Sequence, residues 1–117
     1  MHSDPAAAPL RDILYHIDLA TSFAAELDSA AFHVDLRTIF AVTRCLEIIS
    51  EASRGVPPEV KARHPGIPWA EIAGAGNVYR HDYEDVQQRL VWGTVYNRLH
   101  ALLEAVELEL RRFDAQP

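Results

Sequence analysis

Arg80, His81 and Tyr83 stand within four residues of one another, with Asn77 just upstream. Histidine is the side chain whose ordinary pKa lies near neutrality, so His81 can accept and return a proton without special tuning. An arginine fork suits the oxygens of a phosphate. Together these residue types suit proton transfer and phosphate binding. They also suit an ordinary solvated helix end, where a histidine beside an arginine does no chemistry. What decides between the two is the scaffold that holds them.

Helix-spaced apolar residues run through nearly the whole chain. Leu10, Ile13, Leu14, Ile17, Ala20, Ala24 and Leu27 predict a first amphipathic helix whose start Pro9 can occupy, and Asp28 or Ser29 stops it or caps the next element. Leu36, Ile39, Phe40, Val42, Leu46 and Ile49 predict a second, ending near Gly55-Val56-Pro57-Pro58, where glycine permits a left-handed exit. A short helical turn from Pro58 to Arg63 comes next. Pro68 then opens the helix that carries the cluster. The last helix reads as the longest, with one stripe from Val86 through Leu90, Val95, Leu99, Leu102, Leu103, Val106 and Leu110 to Phe113. Short connections between helices predict an all-α, antiparallel bundle of four to five helices. The expected organisation is a single domain over residues 1–117, with residues 1–8 a frayed leader. The apolar surplus, more than four helices of this size readily hide, predicts a two-fold dimer.

Composition narrows the function classes. The chain has 117 residues, 49% hydrophobic and 24% charged, a balance that folds. A net charge of −6 argues against a general nucleic-acid coat but leaves room for a local site. Between Ala52 and Trp69 the balance turns positive: Arg54, Lys61 and Arg63 face Glu59 alone, with His64 alongside. On charge alone this reads as a solvated loop. The lone Cys45, set in a helical pattern, reads as a small buried hydrophobe, and Trp69 and Trp92 as core or interface aromatics. No apolar run reaches a membrane span and no secretion signal opens the chain, so the expected location is the cytoplasm, away from membranes. Without a glycine-rich phosphate loop, paired cysteines or a His-Glu-x-x-His pattern, no metal or other cofactor is implied. Asp82, Glu84 and Asp85 read as charge complementing the start of the last helix.

Four stretches carry a resemblance. Arg44-Cys45-Leu46-Glu47-Ile48-Ile49-Ser50-Glu51-Ala52 is followed by Pro58-Glu59 with Ala62-Arg63-His64-Pro65, then by Ile67-Pro68-Trp69-Ala70-Glu71-Ile72-Ala73-Gly74, and finally by His81-Asp82-Tyr83. In order and spacing they resemble the HepT-like proteins of the HEPN superfamily. That resemblance implies a dimeric helical bundle and a metal-independent endoribonuclease, the toxin of a toxin–antitoxin pair whose antitoxin is an MNT-type nucleotidyltransferase. The family's signature is an Arg, a spacer of four to six residues, then His-x-Tyr. It implies His81 as the acid–base residue and Tyr83 as a motif tyrosine that in some systems receives AMP. RNA cleavage of this kind uses the 2′-OH as nucleophile, so a base, an acid and a cation at the developing phosphorane suffice. Here the chain departs from the signature: position 76 is glycine. Arg80, four residues on, is the local substitute cation, and Asn77, Arg44 and Arg63 are candidate RNA or phosphate contacts. The glycine also opens an alternative reading, a cleavage-deficient HEPN dimer that serves as substrate or regulatory partner of the nucleotidyltransferase.

Overall fold

The computed structural model describes residues 4–25, 27–81, 93–94 and 97–116. Among them are six α-helices and no strand: α1 (Ala8–Ala24), α2 (Ser29–Val34), α3 (Leu36–Ser53), α4 (Pro58–Arg63), α5 (Trp69–His81) and α6 (Leu99–Asp114). The all-α architecture expected of a HEPN-type bundle is observed, with one helix more than the periodicity predicts.

Aspartates set the boundaries in the first half. Asp4 Oδ1 accepts the Ala6 amide at 2.9 Å and starts a 3-10 turn at Pro5–Ala7, which leads into α1 with Pro9 in its first turn. Residues 4–8 are therefore not a frayed leader. Ala7 is fully buried, so this segment is held by a cap at one end and core packing at the other. α1 ends at Ala24 and does not run to Leu27. Asp28, in extended backbone, accepts the Ala31 amide at 2.8 Å and begins α2, while Leu27 still packs on the core from outside a helix. Asp35 then closes α2 and opens α3, accepting the Thr38 amide at 3.1 Å.

Proline and glycine punctuate the second half. Pro58 stands in the first turn of α4, and the Pro68 carbonyl accepts the Ile72 amide at 3.0 Å at the start of α5. No described glycine has a positive φ, so the left-handed exit expected at Gly55 does not occur. A Cβ at Gly55 would meet Pro9 Cγ at 3.1 Å, and it is this close approach of the α1 start that favours glycine there. Nor is the last helix continuous through its described part. Gly93, Thr94 and Asn97 are helical, but Arg98 is a turn with φ −119° and ψ −30°, and α6 begins at Leu99. α6 has 16 residues and α3, at 18, is longer. The apolar stripe passes across Arg98 because one turn residue barely disturbs a helical period. Val86 and Leu90, expected in that stripe, lie outside the described residues, as do Val95 and Trp92.

The core forms where α1 packs on both α3 and α6. Leu10, Ile13 and Ile17 of α1 meet a layer containing Val42, Leu46 and Ile49 of α3 and Leu102 and Val106 of α6, with Phe32 of α2 fully buried at one end. Removing such a side chain from water contributes roughly 1.5–3 kcal/mol each. Cys45 is buried in the same layer, and burial pushes its thiol pKa up, as the hydrophobe reading expects. α5 packs against α3, with Trp69, Ile72 and Ala75 on the same core, and so depends on α3 for its placement.

Candidate active site

The helix that carries the cluster is pinned to α3 by hydrogen bonds to its backbone. Ser50, almost fully buried, donates from Oγ to the Ala73 carbonyl at 3.0 Å and accepts the Gly76 amide at 3.0 Å. Arg54, the C-cap of α3, donates from Nη2 to the same Ala73 carbonyl at 2.9 Å. Side chains reach backbone in this way where two helices approach closely, and at the contact stand the small residues Ala73 and Gly76. Gly76, which stands where the motif arginine is expected, is buried at this contact. The glycine thus has a packing role.

α5 carries three of the predicted site residues: Asn77, Arg80 and His81, the last of the helix. On a helix, positions 73, 76, 77 and 80 share one face and 81 lies at its edge. The anchor and the cluster therefore belong to one face. Tyr83 lies outside the described residues, together with Asp82, Glu84 and Asp85. Arg44 is exposed on α3 and its Nη1 lies 3.4 Å from Glu47 Oε2. Because Arg54 meets Ala73 while Ser50 reaches on to Gly76, α3 and α5 run antiparallel, which carries Arg44 toward the α5 end at His81.

Arg63 is placed elsewhere. Its Nη2 donates to Glu109 Oε1 at 2.6 Å and its Nε reaches the same carboxylate at 3.2 and 3.3 Å, tying α4 to α6. His64 Nε2 lies 2.7 Å from Glu109 Oε2 and Arg112 Nε 3.5 Å from it. Glu109 is 1% exposed, and its hydrogen bond from Arg63 holds the carboxyl below the usual glutamate range although burial pushes the other way. The same bond raises the Arg63 guanidinium. The Trp69 indole donates to the His64 carbonyl at 3.1 Å, and Lys61 Nζ lies 6.0 Å from the Trp69 ring centre. The stretch whose charges read as solvated thus contains the short helix expected at Pro58–Arg63, and Arg63 and His64 clamp it to α6.

Sequence reasoning singled out neither Ser50, Arg54 nor Glu109 as site or scaffold residues. A signal existed for two of them. Ser50 follows Leu46 on the buried stripe of α3, and Glu109 falls between Val106 and Leu110 on the stripe of α6, where a polar residue needs a partner. Among the described residues, a cavity of about 430 Å³ opens between α3, the Gly66–Pro68 connection, α5 and the start of α6. Its walls include Leu46, Ile49, Ile72 and Leu102, with Arg98 and Glu71 also lining it. Such walls suit an apolar group and offer little to a phosphate chain.

The fold is a helical bundle in which α5 is anchored on α3. Comparison with known proteins supplies the class: the family model described as Ribonuclease HepT-like matches residues 13–108. The chain belongs to the HepT-like ribonuclease family of the HEPN superfamily. It is 41% identical over 93 residues to a protein of Thermococcus cleftensis named as a probable ribonuclease HepT, covering 80% of this chain and 84% of that one. Two proteins of Methanocaldococcus jannaschii, each named as a putative RNase, are 35% identical over 85 residues (73% of each chain) and 31% identical over 99 residues (85% of this chain and 91% of the other). No solved structure matches the chain. Among the described residues no helix is long and apolar enough to cross a membrane.

Proposed function

We propose that this protein is a metal-independent endoribonuclease, the toxin of a toxin–antitoxin pair, acting as a two-fold dimer and neutralised by an MNT-type nucleotidyltransferase. Membership of the HepT-like ribonuclease family is the observation that carries the reading. His81 takes the proton of the RNA 2′-OH as the 2′-oxygen attacks phosphorus, and its counterpart across the dimer axis returns a proton to the departing 5′-oxygen. The products are a 2′,3′-cyclic phosphate end and a free 5′-OH. Arg80 supplies the cation for the phosphorane, with Asn77 and Arg44 contacting the strand. Tyr83 is the site at which the antitoxin transfers AMP.

The test is cleavage of a defined RNA by the purified protein in the presence of a chelator. Wild type is expected to give cyclic phosphate ends, and His81→Ala to slow cleavage by about 100-fold or more at unchanged fold. Robust cleavage that is indifferent to His81→Ala overturns the mechanism. One observation favours a second reading: Gly76 is buried where the motif has its cation. On that reading the chain is a cleavage-deficient dimer, a partner and AMP acceptor of the nucleotidyltransferase, and wild type binds that enzyme without cutting RNA.

A further inference from the structure

We infer that Arg54 is a strand-binding residue of this protein, holding a phosphate next to the one that is cut. The inference rests on the ribonuclease reading above and adds a residue that lies on a different helix from the His81 cluster. Its basis is the contrast with Arg44 and Arg63. The guanidinium of Arg63 is matched by the Glu109 carboxylate, and that of Arg44 lies against Glu47. Arg54 is exposed, and the partner that orients it is a neutral group, the Ala73 carbonyl at 2.9 Å. A guanidinium has five N–H donors and this contact engages one nitrogen, so the head group is fixed in direction while its charge stays uncompensated by that bond.

Where it is fixed matters. Helical carbonyls point toward the C-terminus, so a donor bound to Ala73 sits on the His81 side of that residue, over the turn that leads to Asn77. Ala73 and Asn77 are four apart and Arg80 seven, so Arg54 is laid on the face of α5 that carries the proposed chemistry. His81 is eight residues beyond Ala73, about 12 Å along the axis at 1.5 Å per residue. That separation is too long for Arg54 to stabilise the phosphorane attacked beside His81. It suits a neighbouring phosphate of the same strand. In a chain of net charge −6, one preoriented cation on this face gives a single strand a place to lie and a direction in which to run.

Two substitutions separate charge from scaffold. Arg54→Gln removes the charge and leaves a polar side chain two atoms short of the Ala73 carbonyl; Arg54→Lys is also shorter but keeps the charge. Binding of a fluorescent oligonucleotide with 2′-deoxy sugars, which cannot be cleaved, is measured over a range of salt, together with kcat and KM on the matching RNA and the melting temperature. Arg54→Gln should weaken binding and raise KM about tenfold at unchanged kcat and melting temperature, and lower the slope of log K against log salt by about 0.7. Arg54→Lys should recover most of the affinity. Wild-type affinity and salt slope in Arg54→Gln overturn the inference, while cleavage that depends on His81 leaves the ribonuclease reading standing. A fall in melting temperature in both variants, with the salt slope unchanged, assigns Arg54 to scaffold alone and also overturns it. If wild type neither binds nor cleaves RNA, the ribonuclease reading fails and the inference falls with it.

Discussion

Glu109 is the residue whose role the chain conceals best. Its neighbours Glu104 and Glu107 are similar in type and exposed, yet Glu109 is buried beneath Arg63 and His64. Removing its charge should be costly because the carboxylate accepts charge-assisted bonds from Arg63 on α4. Glu109→Gln is expected to destabilise the fold by about 2 kcal/mol at neutral pH, measured by urea unfolding. The pH dependence has a definite sign. The folded-state pKa of Glu109 is depressed, chiefly by Arg63, so its contribution is present above the unfolded glutamate value of about 4.3 and is lost as pH falls through the folded value. The stability gap between wild type and Glu109→Gln should therefore close below about pH 4. A gap that persists into acid would show the difference to be one of packing. The proposed catalytic residues, His81 and Arg80, are read directly from residue type and spacing. The roles of Arg54 and Arg63 are not, because what distinguishes either from other surface arginines is a contact made across the fold.

Elements were legible wherever period and punctuation agreed. α3 has both an apolar stripe and an Asp35 cap, and α4 and α5 are announced by Pro58 and Pro68. α2 was not legible, since six residues are too few to establish a period, and its one signal, Asp28, also reads as a stop for the helix before it. The Arg98 turn was hidden for the opposite reason, a stripe that continues across it. At this scale Gly76 gains its meaning. Its amide donates to Ser50 Oγ at 3.0 Å and its surface is buried, so a long side chain introduced there must displace what covers it. Restoring the motif with Gly76→Arg is expected to destabilise by about 1–3 kcal/mol, the usual result of overpacking a closed contact. A lower melting temperature with no gain in RNA cleavage is the expected outcome. A stable, more active variant would show that α3 yields readily and that the glycine is a simple loss.

At the scale of the molecule, the proposed dimer must account for what the bundle leaves uncovered. Leu36 and Phe40, one turn apart at the start of α3, are each 59% exposed, and Val34 just before them is 79% exposed. Side chains of this size on one edge favour a covered surface over a solvated one. If that edge is the two-fold contact, sedimentation at micromolar concentration should give twice the 13.1 kDa chain mass, and Phe40→Glu should give the monomer with its helical content intact. Wild type that sediments as a monomer would exclude the dimer. The Arg63–Glu109 clamp has a consequence for how such a protein opens. It joins residues 46 apart in sequence, and closing a loop of that length costs about 3 kcal/mol in chain entropy. All of α5 lies inside this loop, whereas the α1–α3 packing lies outside it. Releasing one buried carboxylate would therefore return that entropy to the segment bearing the proposed chemistry while the α1–α3 half of the core stays closed, so hydrogen exchange should find α5 opening as its own cooperative unit ahead of global unfolding.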